Sequence, residues 1–432
     1  MLTSLKNIWR VEDLRKRILF TLFVLIIYRI GSFVPVPGVN KEVFTAADSQ
    51  GRELFGLLNT FSGGALFQFS IFALGIMPYI TASIIVQLLS MDVIPKLAEW
   101  AKQGEHGKKK LAQLTRYGTV ILGLIQAFGT SLSFNRLYGQ EMIPNATFID
   151  YVIIAIVLTA GTSFLMWLGE QITEKGIGNG ISIIIFAGIV STIPNVIRTT
   201  IESEFIQADQ VFMNALKVII VVLVLLLTVV GVIYIQQAIR KIPVQYAKRV
   251  VGNKMYGGQN THIPLKINAA GVIPVIFAVS LLQFPVIIAS FWTNYGWATW
   301  VTANLSYDKP LGMVLYVLMI IGFTFFYTFV QMNPQQMADN MKKNGGYIPG
   351  IRPGKATEKY LSRVMTRLTM TGALFLAVIS VLPVFLGSLS GLPQVAQLAG
   401  TSMLIVIGVA LDTTKQIESQ LIKRHYKGFI NK

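Results

Sequence analysis

The chain has 432 residues, of which 53% are hydrophobic and 13% charged, with a formal net charge of +17. A soluble globular protein carries about 25% charged residues. This composition therefore excludes a soluble globular protein and indicates an integral membrane protein. The chain contains no cysteine, which excludes disulfides, thiolate metal sites and cysteine nucleophiles.

Apolar runs long enough to cross a hydrocarbon core about 30 Å thick recur along the whole chain. The first run follows a basic N-terminal segment, residues 1–17, and is too long for a cleaved signal core. Ten spans are predicted, at 18–36, 71–90, 117–135, 148–168, 176–196, 212–235, 268–290, 311–332, 368–388 and 396–411. Continuous runs of this kind are typical of helices, because barrel strands alternate between polar and apolar residues. The predicted fold class is therefore an all-α polytopic membrane protein with ten transmembrane helices.

Two glycine-bearing segments interrupt this pattern. The stretch 61–72, FSGGALFQFSIF, is apolar but too short to cross the membrane. It is predicted to be a half-helix or re-entrant segment sheltered by protein, with an interfacial surface helix as the alternative. The stretch 174–182, EKGIGNGIS, resembles a nucleotide-binding glycine loop, but no strand precedes it and it opens a span. Its glycines are better explained by close helix packing or by a flexible start to the fifth span.

Most of the 37 lysine and arginine residues fall in alternate segments between the predicted spans. Because positively charged loops resist translocation, both termini, including the tail 412–432, are predicted to be cytosolic. Two basic loops, 237–267 and 333–367, are longer than a simple connection needs. A basic face suits an anionic partner such as lipid headgroups, RNA or an acidic protein, although membrane topology alone also accounts for basic loops.

The second and seventh spans share a short sequence pattern, GIMPYITASIIVQ from Gly75 and GVIPVIFAVSLLQ from Gly271. The identical pairs are Gly75 with Gly271, Pro78 with Pro274, Ile80 with Ile276, Ala82 with Ala278, and Gln87 with Gln283. By their order among the spans, the two helices run in opposite directions. This pattern predicts two inverted five-helix halves, 18–197 and 212–411, around a central pore at their interface.

Ionisable side chains are missing from the middle of the predicted spans. Ion-coupled carriers need such groups to bind the driving ion or to relay protons. Arg29 and Lys217 lie near the outer ends of their spans, from which they can extend to the interface. The chain is therefore predicted to have no catalytic residues, no metal site and no cofactor, and to form a passive path driven from outside. A solute transporter or lipid flippase, and a structural scaffold with no path, remain the alternatives.

Six short motifs occur in a fixed order along nearly the whole chain. They are YRIGSFVPVPG (28–38), FSGGAL with SIFALGIMPYI (61–80), MWLGEQITEKGIGNGISIIIFAGI (166–189), AAGVIPVIFA (269–278), GIRPG (350–354) and MTRLT (365–369). Together they resemble the SecY family, the protein-conducting channels of bacterial secretion. The resemblance implies an hourglass channel in the bacterial plasma membrane that translocates unfolded secretory polypeptides. It also implies a lateral gate to lipid between spans 2 and 7.

Carried onto matching positions, the resemblance implies a role for several residues. The pore ring is expected at Ile76, Ile80, Ile185, Ile276 and Ile405. The plug, a short helix within 61–72, is expected to include Phe61, Ser62, Gly63, Gly64, Ala65, Leu66 and Phe67. Gln87 and Gln283 are expected on the gate helices, where a hydrogen bond between helices could hold the gate shut. For each isoleucine and glutamine, ordinary helix packing is the alternative.

The resemblance also implies partners for the two long basic loops. They are expected to dock the ribosome or the motor ATPase SecA through Arg352, Lys254, Arg249 and Lys248. Related chains often carry an arginine pair where this one has Asn253 and Lys254, which weakens the case for bidentate contacts there. Arg352 in GIRPG therefore ranks above Lys254. The other implied partners are the small subunits SecE and SecG, signal peptides, nascent secretory and membrane proteins, and membrane lipids.

Overall fold

The computed structural model describes most of the chain, and the account below is confined to those residues. They are 11–40, 56, 59–91, 94–137, 142–143, 147–206, 211–246, 249–251, 254–256, 260–289, 292, 295–306, 309–391 and 400–430. Several parts of the sequence predictions lie outside them. These are residues 1–10 of the N-terminal segment, residues 247–248 (with Lys248), 252–253 and 257–259 of the first basic loop, residue 290 at the end of the seventh predicted span, the start of the tenth at 396–399, and residues 431–432 of the tail.

A helix lies within or across each of the ten predicted spans, and further short helices lie between them. The helices are α1 (Glu12–Gly31), α2 (Met77–Leu89), α3 (Pro95–Lys102), α4 (Gly104–Leu137), α5 (Phe148–Lys175), α6 (Gly180–Ile201), α7 (Val211–Gln237), α8 (Ile273–Ala289), α9 (Gly296–Asn304), α10 (Pro310–Gln331), α11 (Pro334–Lys343), α12 (Lys355–Ser390) and α13 (Thr401–Ile430). The predicted all-α polytopic fold class is confirmed.

Six of the described helices, α4, α5, α6, α7, α10 and α12, are long and apolar enough to cross a membrane by length and composition. Their outer surfaces carry many exposed apolar side chains. On α7, for example, Ile219, Leu226 and Val230 are each more than half exposed. Such a surface is stable in contact with lipid, which is as apolar as the side chains themselves.

Helices α2 and α8 are shorter, with 13 and 17 residues. At 1.5 Å per residue they span about 20 and 26 Å, less than a hydrocarbon core. Each is preceded by a glycine with positive φ, Gly75 at 55° and Gly271 at 65°, and by irregular backbone. Irregular backbone at membrane depth is tolerated where protein shelters it, and Ala73 and Ala270 there are almost fully buried. The shared geometry supports the predicted relation between the second and seventh spans.

The EKGIGNGIS stretch joins α5 to α6 by close packing. A Cβ on Gly180 would lie 1.9 Å from the carbonyl oxygen of Gly169, so only glycine allows the two helices to approach in this way. Asn179 caps α6 by accepting hydrogen bonds from the amides of Ile181 and Ser182. The prediction of glycines for close helix packing is confirmed, and this packing sets the position of α6.

The two long basic loops contain strands that the sequence analysis did not predict. The strands are β1 (Ile239–Tyr246), β2 (Arg249–Val251), β3 (Lys254–Tyr256), β4 (Asn260–Lys266) and β5 (Gly346–Tyr347). β1 pairs antiparallel with β4 on one side and with β5 on the other, while β2 and β3 form a separate hairpin. The available signal was the alternation in IRKIPVQY, where Ile242 and Val244 are buried between exposed residues.

A small apolar core holds these two loops together. It consists of Ile242, Val244 and Leu265 from the first loop and Met341, Ile348, Leu361 and Met365 from the second. Tyr347 in β5 also donates a hydrogen bond from its hydroxyl to Oε1 of Gln245 in β1, at 3.0 Å. Residues 237–246 and 260–267 of the first loop and 333–367 of the second therefore form one folded unit, called the two-loop unit below.

Candidate functional site

A small cavity lies where the two halves of the chain meet. Its lining consists of Phe61, Ser62, Gly75, Ile76, Met77, Ile80, Ile185, Ile276 and Ile405. All five isoleucines predicted for the ring are among these residues. Three of them come from the first half of the chain and two from the second. The structure thus brings together positions that the sequence separates by more than 300 residues.

The cavity is almost entirely apolar. Ile76, Ile80, Ile185 and Ile405 are each at least nine-tenths buried, and Ile276 is partly buried against the same cluster. The lining has one polar side chain, Ser62, whose hydroxyl donates to the carbonyl of Asn59 at 3.0 Å. The surrounding hydroxyls of α2 and α8 also bond within their own helices, Thr81 to Met77 and Ser280 to Ile276. Nothing in this lining favours bound water or an ion.

The segment predicted to be the plug, residues 61–72, adopts turns instead of the expected helix. Within 61–72, helical backbone is confined to Phe61, and the residues that follow form consecutive turns. Gly63 and Gly64 both have positive φ, at 69° and 87°, and the amide of Gly64 bonds the carbonyl of Asn59. This arrangement is a helix C-terminal cap, for which glycine has no steric cost. The half-helix and surface-helix predictions are therefore wrong, and the segment is a buried re-entrant turn.

The rest of this segment is attached to the VPVP stretch that follows α1. Pro35 and Ser70 form an isolated antiparallel bridge. The flanking amides of Val36 and Ile71 donate to the carbonyls of Phe69 and Val34, at 3.0 and 2.9 Å. These bonds satisfy backbone groups that lipid could not solvate. They hold residues 69–71 in place behind the FSGG turn of residues 61–64.

Two side chains of α1 bind the backbone of the FSGG turn directly. The hydroxyl of Tyr28 donates to the carbonyl of Ser62 at 3.0 Å. Nη1 of Arg29 donates to the carbonyl of Gly63 at 2.9 Å and to Oγ of Ser191 at 3.1 Å. The expectation that Arg29 extends to the outer interface stays a prediction, and within the protein its guanidinium binds the FSGG turn. A charged side chain inside an apolar span is itself a signal of a functional role, and the sequence analysis did not use it for Arg29.

Gln87 and Gln283 lie on α2 and α8, two helices that contact each other across the two halves. Gln87 is exposed, and its Nε2 donates to Oγ of Ser83 in the same helix at 3.3 Å. Gln283 is partly buried. The hydrogen bond predicted between the two helices therefore stays a prediction.

Three of the four residues predicted to dock a partner, Arg352, Arg249 and Lys254, lie in described parts of the two basic loops. Arg352 is exposed in the turn between β5 and α12, and its carbonyl accepts a hydrogen bond from Oγ1 of Thr357 at 2.9 Å. This turn contains Gly350 and Gly354, both with positive φ. Arg249 and Lys254 lie on the hairpin of β2 and β3, where they pair with Tyr256 and Val251. Arg352 follows β5 of the three-stranded sheet, whereas the hairpin forms a separate two-stranded sheet.

Comparison with known proteins gives one consistent result along the whole chain. The SecY family model matches residues 70–414. A curated relative from Halalkalibacterium halodurans, named protein translocase subunit SecY, is 60% identical over 432 residues, which is 100% of each chain.

Solved structures with this fold are channels of the same kind. One, with a TM-score of 0.60 and 19% identity, covers 94% of this chain and 92% of its own. Its description states that the plug domain of the SecY protein stabilises the closed state of the translocation channel and maintains a membrane seal. Another is Sec61 in the canine ribosome-channel complex from the endoplasmic reticulum, with a TM-score of 0.59, 17% identity and coverage of 94% and 92%. At these identities the likeness establishes the fold.

A family model that matches most of the chain and a full-length relative at 60% identity agree with the six motifs and with the apolar cavity between two halves. The chain therefore belongs to the SecY family of protein translocation channels, which are multi-pass membrane proteins.

Proposed function

We propose that this chain forms the passive pore through which unfolded secretory polypeptides cross the bacterial plasma membrane. One observation carries the proposal: five isoleucines from both halves line a single apolar cavity, and the FSGG turn lies against it. In this assignment the isoleucines are the ring and the turn is the plug. The proposal assigns no catalytic step to the chain, and the driving force comes from a partner.

The ring suits a seal that yields to a moving chain. Isoleucine side chains are stiff at χ1, because they branch at Cβ, and they attract each other through non-directional contacts. Such a ring excludes water and ions when it is empty, and an apolar constriction gates by dewetting. It presents no hydrogen-bonding group that could hold a passing polypeptide. A chain of any sequence therefore meets low resistance.

The lateral gate is proposed between α2 and α8. These helices belong to different halves and lie against each other, so a small separation of the halves opens a line of contact toward lipid. Their hydroxyls at Thr81 and Ser280 bond within their own helices, which leaves mostly apolar contacts between them. Apolar transmembrane segments leaving the pore exchange these contacts for similar ones with lipid.

The two-loop unit is the proposed docking surface for SecA or the ribosome, and SecE and SecG are the proposed small subunits. The excess of lysine and arginine in the basic loops supports a cytosolic position for the unit and for both termini. Sec61, which has the same fold, is described in a complex with a ribosome, which supports this type of partner. An exposed arginine at Arg352 suits contacts with phosphate or carboxylate groups.

Reconstitution tests the proposal directly. The chain is placed in proteoliposomes with SecE, SecG, SecA and ATP, and a precursor that carries a signal peptide is added. We expect precursor to become protected from external protease only when ATP is present. A precursor without a signal peptide is the matched control. Absence of protected precursor, with correctly assembled complex, would contradict the proposal.

A further inference from the structure

We propose that Tyr28, Arg29 and Ser191 form a polar clamp that holds the plug turn in its resting position. We further propose that release of this clamp is a step distinct from opening of the lateral gate. The inference rests on the proposed function, because it takes the FSGG turn to be the plug. It assigns a role to an intramembrane arginine that the pore and the gate do not use.

Arg29 is the central member of the clamp. Its Nη1 lies 2.9 Å from the carbonyl oxygen of Gly63 and 3.1 Å from Oγ of Ser191, and its guanidinium stacks over the ring of Phe33 at 4.5 Å. These described partners are neutral, so the positive charge acts on the dipole of a backbone carbonyl. A hydrogen bond with one charged partner is roughly twice as strong as a neutral one. The side chain reaches into the protein although it lies near enough to the interface to extend there.

Ser191 and Tyr28 complete the clamp on either side of Arg29. Oγ of Ser191 donates to the carbonyl of Gly188 at 2.7 Å, so the hydroxyl is held where Arg29 binds it. The hydroxyl of Tyr28 bonds the carbonyl of Ser62, the neighbour of Gly63. Two successive carbonyls of the turn are thus bound by side chains from α1. The turn also rests directly on α6, since a Cβ on Gly63 would lie 2.9 Å from Cα of Gly188.

The clamp lies entirely within the first half of the chain. Tyr28 and Arg29 belong to α1 and Ser191 to α6, whereas the gate runs between α2 of the first half and α8 of the second. At the cavity, the turn meets the second half next to Ile276 and Ile405, which are apolar. Separation of the halves therefore breaks apolar contacts and leaves the polar clamp intact. Gate opening therefore requires loss of the apolar contacts between the halves, whereas plug release requires loss of the hydrogen bonds of the clamp.

Accessibility of the turn gives a direct test, because the chain has no cysteine of its own. Ala65, which directly follows the turn and is fully buried, is replaced by cysteine and exposed to a membrane-impermeant maleimide in proteoliposomes. We expect slow labelling of A65C in the resting complex. Adding Arg29→Gln should increase the labelling rate about tenfold, which corresponds to about 1.4 kcal/mol. The ion leak of the resting complex should rise with it.

Lys217→Gln is the matched control. Lys217 is also a cation near the outer end of a span, but its Nζ contacts Oδ1 of Asn214 and not the turn. This change should leave A65C labelling unaltered. Arg29→Lys, which keeps the charge and loses the planar fork, should give an intermediate rate. Ser191→Ala and Tyr28→Phe remove single hydrogen bonds and should each accelerate labelling by a smaller factor, which tests the clamp even if Arg29→Gln assembles poorly.

The outcomes separate the clamp from the plug assignment. If a translocating precursor does not accelerate A65C labelling in the parent chain, the plug assignment itself fails. If the precursor accelerates labelling, but the variants at Arg29, Ser191 and Tyr28 all label at the parent rate, the clamp is overturned and the plug stands. Accelerated labelling in the Arg29 and Ser191 variants, with Lys217→Gln unchanged, supports the clamp.

Discussion

The pore cavity and the two-loop unit are each built from segments far apart in the chain, but different interactions hold those segments together. The cavity is closed by aliphatic side chains whose neighbouring hydroxyls bond within their own helices. The two-loop unit is held by an antiparallel ladder from Ile239 to Gln245 and by a compact apolar core. Non-directional contacts can part and re-form around a guest, whereas a ladder loses its hydrogen bonds when it shifts register.

This difference matches the two roles proposed for the regions. A pore must open in each cycle, so a seal without directional bonds suits it. A docking surface must keep its shape while a partner pushes against it, so a hydrogen-bonded sheet with its own core suits it. The FSGG turn combines both kinds of interaction. Its side chains contact the apolar cavity, and its carbonyls accept hydrogen bonds from Tyr28 and Arg29. Four sets of substitutions test whether the contrast holds, given in order from the largest expected effect.

Leu361→Ala should cause the largest change, and it should be confined to the two-loop unit. Leu361 is fully buried in that core, so the substitution should destabilise the unit by about 2–5 kcal/mol. Limited proteolysis should show faster cleavage of the two basic loops, with resting ion leak unchanged. Lys359→Ala, an exposed position on the same helix, is the control. An increased ion leak in the Leu361 variant would show that the two regions are not independent.

Ile80→Asn combined with Ile276→Asn should open the seal to ions while leaving the two-loop unit intact. A buried amide without a partner costs about 1–3 kcal/mol, so water should enter the cavity and raise resting conductance about 10- to 100-fold. Single-channel or vesicle flux measurements would detect the change. Ile85→Asn, at an exposed position of the same helix, serves as the matched control. If leak stays at baseline, these isoleucines do not line a path.

Arg352→Glu should impair SecA-driven translocation without altering assembly or leak. Reversing one exposed charge at a docking site should reduce the rate of ATP-dependent precursor protection roughly tenfold, most strongly at low salt. Lys343→Glu makes the same charge change at another exposed position of the unit. Normal translocation by the Arg352 variant, or an equal loss in both variants, would remove Arg352 from the docking surface.

Gln87→Leu and Gln283→Leu should have the smallest effects. A hydrogen bond between transmembrane helices is worth about 1 kcal/mol or less, so the coupling between these positions should be at most about fivefold. A double-mutant cycle on the rate of lateral release of a hydrophobic segment measures it. Zero coupling would mean that Gln87 and Gln283 do not bond each other. Gln87 would then keep its bond to Ser83, and apolar contacts alone would close the gate.

Much of the fold followed from local sequence patterns. Ten apolar runs predicted the helices, because the bilayer demands about 20 apolar residues per crossing. The pattern shared between Gly75 and Gly271 indicated the related helices α2 and α8. The resemblance to a known family supplied the ring positions, and the structure brings all five to one cavity. The strands of the two loops were missed because the partners of β1 lie far along the chain, one beyond a hairpin and the other beyond four further helices.

The sequence by itself determined where the chain crosses the membrane, which segments carry the positive charge, and that mid-membrane charges are scarce. These properties depend on the composition of short stretches of chain, because that composition sets whether a stretch is more stable in lipid or in water. The tertiary structure decided that Arg29 binds Gly63, 34 residues away, and Ser191, 162 residues away. It also decided that FSGG ends a helix and that two distant loops share one sheet. Such contacts depend on which segments meet in space, and no local pattern of residues specifies that.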